Sequence, residues 1–149
     1  LVSAGPFLVR NSIAISPDHM LTPQHAGEFR PLGPAPTRFP FDASTTKAPR
    51  TALGTTSAGG QKIVVVDGRR SGEHSCGVTL EGLAHLMQWV GCDHAINLDG
   101  GGSSVMAIEG AMASDALREN IPRHIVNIPS DDGCRERIVP ILMVVRALG

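Results

Sequence analysis

Asp99 is followed by Gly100–Gly101–Gly102 and then by Ser103–Ser104, and this run has the residue types of a reactive turn. The apolar stretch Ala95–Ile96–Asn97–Leu98 before it predicts a short strand that delivers a carboxylate at its C-terminal end. Consecutive glycines lose much backbone entropy on ordering, so they belong where the chain turns sharply and a ligand approaches the main chain. The N–H groups of Gly100, Gly101 and Gly102 predict an anion-binding nest, and Ser103 and Ser104 add hydroxyl donors. An acid beside such a nest suits chemistry on a sugar or a phosphate. A tight turn with a capping aspartate is the simpler account, but it explains a glycine triplet with a serine pair poorly.

Asp67–Gly68–Arg69 repeats the design. Ile63–Val64–Val65–Val66 is a continuous β-branched run, which predicts a strand buried on both faces and ending in an Asp–Gly turn. Two strand ends presenting Asp67 and Asp99 to one cleft would meet the needs of paired-acid catalysis. A turn aspartate is the alternative for Asp67. Arg50, Arg69 and Arg137 are candidate anion ligands, since a guanidinium offers a planar fork to phosphate, though surface charge is the ordinary fate of arginine. His74–x–Cys76 and Cys92–x–His94 each bring two metal-ligand types together, but neither fits a zinc template such as Cys–x2–Cys. No metal and no cofactor are expected.

The elements that must position these groups read as an α+β (mixed α/β) class: a strand-rich mixed sheet with one main helix at 79–90 and a long Pro-rich loop. Leu1–Ser16 predicts two short strands about a turn. Prolines from Pro17 to Pro49 predict a long irregular connection. Arg50–Thr55 and Ile63–Asp67 predict strands about the Ser57–Ala58–Gly59–Gly60 turn. Thr79 suits a helix N-cap, Glu81 the first turn and Gly91 the C-terminal end. Leu80, Leu83, Ala84, Met87 and Val90 share its apolar face, and Trp89 is read as a packing residue. Val105–Ile108 and Ala111–Ala113 predict a hairpin about Glu109–Gly110, and Arg137–Arg146 a closing strand with Pro140 at an edge or bulge.

The 149 residues suit one domain, with 42% hydrophobic and 18% charged residues and a net charge of −1. There is no long basic run, which argues against nucleic acid or an anionic membrane surface as partner. Ile138–Val145 is too short to span a bilayer. Aromatic residues are only 3%, so sugar recognition would rest on hydrogen bonds and charge rather than stacking. Cys76, Cys92 and Cys134 leave a disulfide with one thiol, all thiols, or an interchain bond open.

Arg50–Thr51–Ala52–Leu53–Gly54, Val65–Val66–Asp67–Gly68–Arg69, the helix from Thr79 and Ala95–Ile96–Asn97–Leu98–Asp99–Gly100–Gly101–Gly102–Ser103–Ser104 occur in an order that resembles the phosphodiester glycosidase family. Asn127–Ile128–Pro129–Ser130 with Glu136–Arg137 is similar to its closing segment, and Leu1–Asn11 to its Gly–Pro–x–Leu segment. The chain thus reads as the C-terminal portion of the family's domain, over residues 1–149, with upstream strands lacking. The resemblance implies hydrolysis of a glycosyl phosphodiester of the N-acetylglucosamine-1-phosphodiester kind, or of a related glycosidic bond. It assigns Asp99 and Asp67 to the carboxylate roles. Arg50, Asn97, Gly100, Gly101, Gly102, Ser103, Ser104, Asn127 and Arg137 would hold a carbohydrate or sugar-phosphate substrate. It favours a secreted or lumenal setting, and an upstream segment or a homo-oligomer as partner. The alternatives are a sugar-phosphate-binding module without turnover, or an inactive fragment of a larger enzyme.

Overall fold

Along Arg50–Thr55, Arg50, Ala52 and Gly54 are buried while Thr51 and Leu53 are half-buried. That period of two makes the segment an interior strand of a sheet with one face against a core. The computed structural model describes residues 5–15, 45–70, 72, 74–109, 124–131, 137–139 and 143–145. In it β1 is Phe7–Arg10, β2 Ile13–Ala14, β3 Arg50–Thr55, β4 Gln61–Val66 and β5 His94–Asn97, and the α-helix α1 spans Leu80–Trp89. The strands lie in the order β2-β1-β5-β3-β4. The fold class is α+β, as expected, but each described pairing is antiparallel rather than mixed.

This topology decides where the chemistry-bearing residues fall. β3 lies between β4 and β5 and runs antiparallel to both, with Arg50 opposite Val66 and Ala52 opposite Asn97. The C-terminal ends of β4 and β5 therefore share one edge with the N-terminal end of β3. Asp67 and Asp99 emerge there on either side of Pro49–Arg50.

α1 covers one sheet face. The Thr79 hydroxyl caps it by accepting from the Gly82 N–H at 3.0 Å. Gly91, at φ +85°, takes the left-handed position just beyond the helix, which a side chain would disfavour. Leu80, Leu83, Ala84 and Met87 are buried against Leu8, Val9, Ala52, Cys92 and Ala95, and Val90 packs at the margin. Trp89, expected to pack, is 83% exposed because it lies on the outer face of the helix.

Other expectations need correction. Ile63, Val64, Val65 and Val66 are half-buried, not enclosed on both faces, because β4 has β3 as its single described neighbour at the sheet edge. Residues 105–108 find their described partner in 124–126, through an Ala107–Ile125 bridge and hydrogen bonds from Ile108 to His124 and Val126 to Met106. The other arm expected there, Ala111–Ala113, lies outside the described residues, as does most of the Pro-rich connection. Residues 137–139 and 143–145 show no strand pairing, and Ile138 is 98% exposed, so the closing strand is not seen in them. Cys76 and Cys92 are free thiols, and burial pushes the Cys92 thiol pKa up; Cys134 lies outside the described residues. Among the described residues no helix is long and apolar enough to cross a membrane.

The helix contacts set a graded expectation for stability. Met87→Ala should cost about 3 kcal/mol by leaving a cavity, and Thr79→Ala about 1 kcal/mol by removing the cap. Trp89→Ala should stay within about 0.5 kcal/mol. Urea denaturation midpoints of the three variants check the order.

Candidate active site

Asp67 follows β4 directly, and its carboxylate meets three donors. Oδ1 accepts from the Asn127 side-chain amide and from the Ile128 N–H, both at 3.0 Å, and Oδ2 bonds His74 Nε2 at 3.0 Å. The Asp67 carbonyl accepts from the Ser75 hydroxyl at 2.8 Å. Asn127 is itself fully engaged. Its amide also donates to the Ser104 carbonyl at 2.9 Å, and its Oδ1 accepts from the Met106 N–H at 2.8 Å. The Ser104 hydroxyl is buried and accepts from the Thr51 hydroxyl at 3.2 Å. Asp67, Asn127 and Ser104 thus form a continuous polar clasp that ties the glycine turn to the end of β4.

The loop after Asp67 doubles back on itself. Arg70 N–H donates to the Ser75 carbonyl at 2.8 Å and His74 N–H to the Arg70 carbonyl at 3.0 Å. It presses on the entry to β3 through Gly77, at φ +90°, where an added Cβ would meet the Ala48 nitrogen at 2.8 Å. Arg69 sits in this loop in the left-handed region, at φ 61°.

The glycine turn itself forms a short 3-10 helix, Gly101–Ser103. The Gly100 N–H donates to Asp99 Oδ1 and the Gly101 N–H to the Pro49 carbonyl, each at 2.9 Å. The expected three-amide nest is therefore reduced. Among the described residues the Gly102 N–H and the Ser103 hydroxyl carry no intramolecular bond, while Asp99 is exposed.

Two guanidinium groups lie against the turn and account for its glycines. A Cβ on Gly101 would stand 2.9 Å from a terminal nitrogen of Arg69, and one on Gly102 would fall against the Asp131 carboxylate first and, at 2.6 Å, against a terminal nitrogen of Arg137. Arg137 is held by Asp131 through a two-pronged pair at 2.9 and 3.0 Å. That pair, with the nearby charge of Asp99, raises the Arg137 pKa. Arg69 has no such partner among the described residues. Arg50 is 8% exposed and spends its guanidinium on the carbonyls of Thr46, at 2.9 Å, and Val78, at 3.3 Å. Burial, with the Arg69 charge added to it, lowers the Arg50 pKa.

The residues expected at the site thus divide. Asp99, Ser103 and Arg137 border the turn with groups in reach of solvent or ligand, while Gly102 is buried beneath Asp131 and Arg137. Asp67, Asn127, Ser104, Arg50, Gly100 and Gly101 surround the same turn but are engaged in holding it. Asn97 donates from its amide to the Gly5 carbonyl at 3.0 Å, and its Oδ1 is buried with no partner among the described residues. Sequence reading weighed His74 only as a metal-ligand type beside Cys76, passed over Asp131 and left Arg69 as one of a set of arginines. The Asp–Gly–Arg triplet was the available signal for Arg69, and no local signal marked Asp131. No cluster of metal-ligating side chains occurs among the described residues.

The family description for phosphodiester glycosidases matches residues 1–146. An uncharacterized SPbeta prophage-derived protein of Bacillus subtilis is 38% identical over 91 residues, which is 58% of this chain and 14% of that protein. A putative exported protein of Burkholderia pseudomallei, of known structure, is 35% identical with a TM-score of 0.47, over 58% of this chain and 14% of its own. The zebrafish N-acetylglucosamine-1-phosphodiester alpha-N-acetylglucosaminidase catalytic domain, auto-inhibited by its pro-peptide, is similar in fold, with a TM-score of 0.50 and 23% identity over 72% of this chain and 32% of that one. The chain therefore spans a minor part of the length of these proteins. By the match over residues 1–146, the chain belongs to the phosphodiester glycosidase family.

Proposed function

We propose that this site hydrolyses a sugar 1-phosphodiester, with Asp99 at the anomeric carbon and Arg69 and Arg137 at the phosphate. The observation that carries the reading is the glycine turn with an exposed carboxylate at its start and a guanidinium against each of two glycines. A phosphodiester keeps a negative charge, and expelling its phosphate from the anomeric carbon adds another. The guanidinium groups of Arg69 and Arg137 would bind that charge. The Ser103 hydroxyl supplies a neutral donor for a phosphate or sugar oxygen. Asp67 lies two strand spacings from β5, about 10 Å across the sheet edge, with its carboxylate taken up by three donors. In this reading it holds the site together and Asp99 alone meets the sugar. The resemblance of the zebrafish fold points to N-acetylglucosamine as the sugar to try first. Family membership favours a secreted or lumenal setting.

A sugar-phosphate-binding role without turnover is the second reading. It is favoured by the engagement of Asp67, which leaves Asp99 as the exposed carboxylate of the two. Calorimetric binding of a sugar 1-phosphodiester, with no sugar released on long incubation, would select it.

Asp99→Asn should lower kcat for a sugar 1-phosphodiester by about a thousandfold while leaving the melting temperature close to that of the parent. Full turnover by a folded Asp99→Asn variant would sink the assignment. Arg69→Ala should raise KM by roughly ten- to a hundredfold, the worth of a hydrogen bond to a charged group. Gly101→Ala should reproduce that rise, because its methyl displaces the Arg69 guanidinium. The double variant should then add little to either single one, as expected for residues acting through one contact. Steady-state kinetics of the three variants test the coupling.

A further inference from the structure

We infer that His74 is the proton acceptor for the attacking water, with Asp67 as the residue that positions it. The inference rests on the glycosidase reading above and adds to it a second reactive group. His74 Nε2 bonds Asp67 Oδ2 at 3.0 Å, and Asp67 Oδ1 is fixed from the other side by Asn127 and Ile128. A carboxylate can accept but not donate, so it holds the proton of a neutral imidazole on Nε2 and leaves the lone pair on Nδ1. Nδ1 has no hydrogen-bond partner among the described residues, and the side chain is 35% exposed against 15% for Asp67. A half-buried acid thus orients an accessible base. This is the geometry in which an aspartate sets the tautomer and stabilises the imidazolium that forms.

The placement fits the rest of the site. Arg69 of the same loop lies against Gly101, and Asn127 links Asp67 to Ser104 at the far end of the turn. His74 therefore belongs to the same loop as Arg69, whose guanidinium lies against the turn that follows Asp99. The paired-acid scheme needs a second proton-handling group beside Asp99, and Asp67, with its oxygens engaged, does not offer one. The step balances without a co-reactant. The water oxygen bonds to the anomeric carbon as one of its protons passes to Nδ1. The bond from that carbon to the phosphate oxygen breaks, its electron pair leaving with the phosphate monoester. The imidazolium then returns its proton to solvent.

The test uses the intact protein, methyl diesters of hexose and N-acetylhexosamine 1-phosphates, and the variants His74→Ala and His74→Gln, with circular dichroism to establish folding. Both variants should lose about a hundredfold or more in kcat with KM little changed. Sodium azide should restore turnover in both and give a glycosyl azide, because azide attacks without a proton to surrender. Imidazole should restore part of the hydrolysis in His74→Ala. A folded His74→Gln variant with parental kcat would overturn the inference and leave the role of Asp99 standing. So would a loss that neither azide nor imidazole repairs, which would mark His74 as a structural strut. Failure of the parent protein to cleave any of these diesters would overturn the glycosidase reading and this inference together.

Discussion

The carboxylate of Asp67 holds the working end of this molecule together. It joins the end of β4 and the loop through His74 that follows it to the segment at Asn127–Ile128, which is remote from both in sequence. Hydrogen bonds to a charged acceptor are stronger than neutral ones, and their loss would leave partly buried donors without partners. The clasp extends outward through Asn127 to the Ser104 carbonyl and the Met106 N–H, and through Ser104 to Thr51 of β3. The glycine turn is thereby referenced to the sheet on both of its flanks. A turn of that composition has little preference of its own, so its shape has to come from what grips it.

The same grip explains why the turn is glycine. Gly101 does adopt a positive φ, but Gly102 does not figure among the positive-φ residues. What the two share is contact, since each has a guanidinium where a side chain would begin. The two cations are not equivalent. Arg137 is paired with Asp131 and sits near Asp99, so its charge is already largely balanced. Arg69 lacks such a partner among the described residues and lies close enough to Arg50 to lower its pKa. Arg50 donates to the backbone carbonyls of Thr46 and Val78.

Much of this was legible in the sequence, and the divide follows the range of the forces involved. The cap at Thr79, the apolar face of α1 and the period-two pattern of β3 are set by near neighbours, and they appear where the residues predict them. The glycine turn beside an acid was likewise a local signal. The partners of Asp67 were not, because nothing in Asn127–Ile128 by itself says that it meets a strand end about sixty positions earlier. Asn127 and Ser104 read as substrate ligands and are instead consumed by the clasp. β4 reads as an enclosed strand since its valines suit one, but the number of neighbours a strand has is a property of the sheet order. His74 was obscured by Cys76, whose spacing suggests a metal pair. The fold of the loop turns the imidazole to Asp67 instead.

The division of labour between the two aspartates follows from these constraints. They begin from the same sequence design, a strand ending in Asp–Gly. Asp67 receives donors from two other segments, and a carboxylate whose oxygens are so engaged is a poor nucleophile and a good anchor. Asp99 receives the N–H of its own neighbour Gly100 and remains exposed. Its free oxygen is the one that a ligand resting on the turn would meet. Equivalent local chemistry has been sent to opposite ends of a single task by the tertiary contacts alone. A substrate held by its phosphate at Arg69, as proposed, would lie next to Gly101, two residues from Asp99, and would bring its neighbouring carbon toward that carboxylate. Anchor, grip and reactive acid are then all fixed by one edge of a small antiparallel sheet.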